Sequence, residues 1–121
     1  MENKITILVF EPGKKPELRV IDNTLEAKQE VVQGDAPYGL IQVLYPWDAP
    51  IALVCHDEGK LFDDMPPNRF LMYENKVYDV IVGPCFICGA YPDDENFSSI
   101  PQEFVDRFMD EKQCRKLFPA V

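Results

Sequence analysis

Two cysteines in the stretch "GPCFICGAY", Cys85 and Cys88, stand in a C-x-x-C, the spacing that dithiol oxidoreductases and zinc knuckles use. That chemistry requires a turn or a helix N-terminus to bring both sulfurs to one side. The surrounding residues, "VIVGPCFICGAY", favour a strand instead, in which Cys85 and Ile87 point one way and Phe86 and Cys88 the other. A zinc site would need two further ligands, and the remaining candidates are Cys55, His56 and Cys114. Cys55 and His56 are neighbours in another strand-like run, so alternation parts them too. Redox chemistry of the thioredoxin type would need a helix directly behind the motif, and none is expected there. The cysteines are therefore expected to be small buried apolar residues, with no metal, no cofactor and no catalytic residue assigned. A small enzyme or metal-binding protein using Cys85, Cys88 and His56 is the alternative.

His56 is the single histidine, followed by Asp57 and Glu58. Neighbours in a turn rarely orient one another as a general base, and no nucleophile motif accompanies them, so a polar hairpin tip is the expectation. "EPGKKP" lacks the second glycine and the following helix of a phosphate loop. Recognition by surface is better supplied. Trp47 sits in a proline corner with Asp48, and Trp and Arg are among the types that dominate partner binding. Asn68 and Arg69 follow Pro66-Pro67 and could form the polar part of the same face. The candidate binding residues are thus Trp47, Asp48, Glu58, Asn68 and Arg69.

Charge narrows the partners. The 121 residues carry a formal charge of -9, which disfavours direct binding to nucleic acid or to an anionic membrane. Between Tyr91 and Glu111 lie seven acids, Asp93, Asp94, Glu95, Glu103, Asp106, Asp110 and Glu111, against one base, Arg107. Such a run is ordinary solubilising surface, or else a set of carboxylates imitating DNA phosphates. The apolar run from Ile5 to Phe10 is too short for a signal-peptide core or a membrane span, so a cytoplasmic protein with reduced thiols is expected.

The elements that must position these residues follow from hydrophobic period and turn chemistry. "KITILVF" and "LRVI" read as strands joined by the turn "EPGKKPE". In "DNTLEAKQEVVQG", cap oxygens precede Leu25, Gln29 and Val32 at helical spacing, and Gly34 marks the end, giving a helix over about Thr24 to Gln33. Leu40 to Tyr45 and Ile51 to Cys55 read as strands around the Pro46 to Pro50 corner. Gly59 is expected to close a hairpin with Leu61 and Phe62, and "DDMPPNRF" to form a second corner. "VYDVIVGPCFICGAY" reads as one or two strands broken near Gly83-Pro84. At the end, Ser99 and Gln102 have capping-box spacing before the stripe Ile100, Phe104, Val105, Phe108 and Met109. The order β-β-α-β-β-β-α predicts one α+β domain over residues 1–121, with an antiparallel or mixed sheet and two helices on one face. Its first half is ordered like a β-grasp.

"VFEPGKKPELRVIDNTLEAKQEVVQG", "IQVLYPWDAPIALVCHDEGKL", "PPNRFL" and "VYDVIVGPCFICG" together resemble an uncharacterised domain-of-unknown-function family from bacteriophages, conjugative elements and Firmicutes. The resemblance covers about Ile7 to Gly89 and implies a small accessory protein of mobile DNA with no assigned activity, cofactor or catalytic residue. Its matching polar positions are Asp22, Thr24, Asp48, Glu58, Gly59, Lys60, Asn68, Arg69 and Asp79. It also implies larger apolar residues where this chain has Cys85 and Cys88, and Asn in place of His56. The expected function is a non-enzymatic protein-binding module of a mobile element, in its sharper form an acidic anti-restriction or anti-defence mimic, with the partner's identity and the oligomeric state open.

Overall fold

The strand carrying the first apolar run is buried on both faces, which explains why it reads as a continuous stretch rather than an alternating one. In the computed structural model, which describes residues 3–121, this is β1 (Lys4–Phe10). It pairs antiparallel with β2 (Glu17–Asp22) across the turn at Gly13, whose φ of 74° is a conformation that glycine adopts freely. Helix α1 (Leu25–Gln33) starts where Thr24 accepts a hydrogen bond from the Ala27 amide at 3.1 Å, and ends at Gly34 with φ 56°. Strands β3 (Ile41–Leu44) and β4 (Ile51–His56) flank the Trp47 corner. Then come β5 (Pro67–Tyr73), β6 (Lys76–Val82), β7 (Cys85–Gly89), α2 (Gln102–Met109) and α3 (Glu111–Leu117).

Among the described residues the result is α+β, with two antiparallel sheets and three α-helices. One sheet has the order β2-β1-β7-β4-β3, and the other is the β5-β6 hairpin. Ile5, Ile7 and Val9 of β1 join Val54, Phe86 and Cys88 in a core under Val32 of α1. Leu8, Phe10, Leu53, Cys85 and Ile87 face the other way, onto Phe104, Phe108 and Phe118 and onto Leu71 and Ile81 of the hairpin. The five-stranded sheet is therefore covered on both faces, with helices on each.

The structure corrects several expectations. The helices do not share one face: α1 packs opposite α2 and α3, because every strand of the sheet's centre offers apolar side chains in both directions. Gly59 does not close a hairpin. It opens a 3-10 turn, Gly59–Leu61, with no positive φ, so Leu61 and Phe62 lie outside any strand. The hairpin that follows turns instead at Glu74 and Asn75, with φ 49° and 65°, the paired left-handed residues of a tight primed turn. Its first strand begins at Pro67, inside the stretch expected to be a corner; proline is tolerated at the first residue of a strand. The C-terminal stripe is two helices rather than one, because the Asp110 carboxylate accepts from the Gln113 amide at 3.0 Å and caps a new helix. Ser99 forms no capping box: its hydroxyl accepts from the Thr6 amide at 2.9 Å, while Pro101 stands at the start of α2.

Candidate functional site

The C-x-x-C lies in β7, the central strand of the large sheet, with β1 and β4 on either side. Alternation holds: Cys85 belongs to the core beneath α2 and α3, and Cys88 to the core beneath α1. All four cysteines are buried free thiols. Burial pushes Cys55 up to about 11 and Cys88 up to about 12, and pushes Cys85 higher still. A buried thiol held protonated is not a nucleophile. Among the described residues, no three His, Cys, Asp or Glu side chains converge into a set that could hold a metal ion.

His56 is also committed. One ring nitrogen, Nε2, lies 2.8 Å from the Tyr38 carbonyl, and Nδ1 lies 3.0 Å from the Glu58 amide. Donation from Nε2 and acceptance at Nδ1 satisfy both atoms in one neutral tautomer, so neither is left for proton transfer. Tyr38 donates its hydroxyl to Glu58 at 2.8 Å, and this hydrogen bond, ahead of burial, raises the phenol above its ordinary value.

Asn68 and Arg69, expected on an exposed face, are 2% and 7% exposed. The pairing of β5 with β6 shifts register between Pro67 and Arg69, and this bulge turns two consecutive side chains inward. Asn68 Nδ2 donates to the carbonyls of Phe10 and Gly83, each at 2.8 Å, tying the hairpin to the large sheet. Trp47 is half-buried. Its Nε1 donates to the Leu117 carbonyl at 3.1 Å, and its ring packs edge-on against Phe108 and Phe118. It caps the core where the β3-β4 corner meets the helices, while Asp48 stands beside it, exposed. Glu58 stands with Tyr38 and His56 instead, so the five candidate residues do not form one face. Trp47 and Arg69 do share Phe118 as a neighbour.

What gathers around Arg69 is a cleft of about 500 Å³ between the β1-β2 turn, β5 and the two C-terminal helices. Gly13, Lys14, Lys15 and Pro16 form one wall; Phe108, Met109, Glu111, Cys114 and Arg115 form the other. The guanidinium lies 4.9 Å from the Phe10 ring centre and 5.9 Å from that of Phe118. Nη1 donates to the Phe118 carbonyl at 3.0 Å and lies 3.6 Å from Cys114 Sγ; Nη2 reaches the Lys14 carbonyl at 3.4 Å. Nε has no partner, and none of the ion pairs among the described residues includes Arg69. A buried guanidinium cannot shed its proton and normally sits against a carboxylate. Here only carbonyls, sulfur and ring faces offset it. The rim adds Lys14, Lys15 and Arg115, of which Lys14 pairs with Glu11 and Lys15 with Glu111, each at 3.3 Å. On a chain of charge -9 this is a local concentration of positive charge.

The seven acids are all exposed but are spread over three settings. Asp93, Asp94 and Glu95 precede α2 in a turn region, and Glu103 and Asp106 lie on α2. Asp110 is spent as a cap, whose hydrogen bond from Gln113 holds its carboxyl below the usual value, and Glu111 pairs with Lys15. Sequence reasoning missed the cleft because its basic side chains come from a turn, a strand and a helix far apart in the chain. "GKKP" and "CRK" are visible in the sequence only as ordinary surface charge.

No helix of the described residues is long and apolar enough to cross a membrane. A family described as Domain of unknown function (DUF3846) matches residues 5–113. No curated protein and no solved structure is detectably similar to the chain.

Proposed function

Since the chain belongs to the DUF3846 family, whose description assigns no activity, we propose its role from its own geometry: it is a non-enzymatic protein-binding module, and its recognition site is the cleft over Arg69. The observation that carries this reading is the buried, carboxylate-free guanidinium lining a cleft of about 500 Å³, a volume within the range of ligand sites. The groups that could argue for catalysis are occupied elsewhere, the thiols by burial and His56 by two backbone partners. The "EPGK", "YPWDAP", "EGKL" and "YDVIVG" pattern supports placing this binding role in an accessory protein of a mobile genetic element.

The test is affinity capture from bacterial lysate at low and high salt, comparing the wild-type chain with Arg115→Glu and Lys14→Glu, both on the rim. The wild type is expected to retain a partner that both variants release while remaining folded. A partner held equally by all three proteins would show that the cleft is not the site. The exposure of Asp93, Asp94, Glu95, Glu103 and Asp106 favours a second reading, acidic mimicry of nucleic acid against a restriction or other defence protein. Capture that survives the rim variants but is lost with salt and on Asp93→Asn with Asp94→Asn would support it.

A further inference from the structure

Resting on that reading of the cleft, we infer that the group it takes is a carboxylate carried on an apolar stem, specifically a glutamate side chain of a partner peptide flanked by apolar residues. The donor arrangement selects the chemistry. Of the five guanidinium N–H groups, those of Nη1 and one of Nη2 face the Phe118 carbonyl, Cys114 and the Lys14 carbonyl. Nε is buried without a partner and one Nη2 hydrogen remains, so the guanidinium keeps unmatched donors, and a carboxylate, with two acceptor oxygens and a full charge, is the group that Arg forks take best. The Nη2 contact to Lys14, at 3.4 Å, is long enough to yield to a charged acceptor.

The walls select the stem. Pro16, Phe108, Met109 and Ala120 present apolar surface, and Met109 is 45% exposed. Such walls suit methylene groups, and they make a dianion costlier to desolvate than a monoanion, which sets a carboxylate above a phosphate. Because Arg69 is almost wholly buried, the charged group must reach it at the end of a side chain. Arg115 on the rim, which is in none of the ion pairs among the described residues, supplies attraction at longer range.

The experiment follows the side-chain Nε–H resonance of Arg69 and the amides of Gly13, Lys14 and Cys114 by nitrogen-15 NMR on the wild-type chain. The probes are acetyl-Phe-Glu-Phe-amide, its Gln counterpart and inorganic phosphate. The Glu peptide is expected to shift these resonances saturably, with the Gln peptide weaker by about tenfold or more, the difference that a charge-assisted pair supplies. Arg69→Lys, which keeps the charge but loses the fork, should bind the Glu peptide as weakly as the wild type binds the Gln peptide. Should that variant fail to fold, the Glu and Gln comparison still decides the matter, because it uses only the wild type. Equal binding of the two peptides, or shifts with phosphate alone, would overturn the carboxylate assignment and leave the cleft as a binding site. Silence of all the cleft resonances would also overturn it, and the rim variants in the capture experiment decide separately whether the cleft binds a partner.

Discussion

Raising the pH from 8 to 10 should cost this protein about 4 kcal/mol of stability through three buried thiols. Burial pushes Cys55 up from 9.0 to about 11 and Cys88 from 9.0 to about 12, and Cys85 above both. These are acids whose folded values are raised, so their stabilising effect is complete below 9.0 and is lost as the pH climbs toward the folded values. At pH 10 an unfolded thiol is about nine-tenths ionised while its folded counterpart is still largely protonated, a penalty of roughly 1–2 kcal/mol each. A domain of this size holds roughly 5–15 kcal/mol in all, so the loss is a large share. Urea unfolding with a reductant present, followed by the fluorescence of the single Trp47 at pH 7, 8, 9 and 10, measures it. Cys85→Ala provides the control that isolates the effect. The cavity it leaves lowers stability at every pH, but its loss between pH 8 and 10 should be smaller than that of the wild type by roughly 1–2 kcal/mol. Ionisation of lysines and tyrosines enters both proteins alike and cancels. Equal losses in the two proteins would show that Cys85 is not held protonated, and the account of β7 as core would fail.

Two further outcomes follow from the same packing. Asn68→Ala leaves the Phe10 and Gly83 carbonyls without their donor in a buried setting, so it should lower stability by about 2–4 kcal/mol in the same urea assay, whereas a surface asparagine would cost almost nothing. A water-soluble disulfide reagent should label the native chain only at the rate at which it opens, and should count all four thiols once denaturant is added.

Local signals were legible because they act over a few residues. Thr24 and Gly34 bracket α1 as their cap chemistry implies, and the Gly83-Pro84 break separates β6 from β7. Strand alternation alone is enough to part Cys85 from Cys88. What stayed hidden depends on long-range packing or on one hydrogen bond. Asp110 reads as a surface acid inside an amphipathic stripe until its carboxylate is seen capping α3. The strand starting at Pro67 is masked by two prolines and "NR", and only the register shift against β6 shows why Asn68 and Arg69 both turn inward. The cleft needed Lys14, Arg69 and Arg115 in one place, a juxtaposition fixed by tertiary packing.

The position of β7 also governs how the chain can fold. Strands β1 and β2 form one local hairpin, and β3 and β4 another, but no pairing joins the two except through Cys85–Gly89, which hydrogen-bonds to both. The large sheet cannot close until residues separated by roughly seventy-five positions meet, so its assembly is a non-local, slow event of the kind that sets folding in milliseconds to seconds. Until then "CFICG" is an apolar segment with two open edges, the sort of strand that pairs with other chains. Insertion of β7 between the two hairpins, which also brings Cys85 and Cys88 into the cores on opposite faces, is the step at which a substitution in the motif would first be felt.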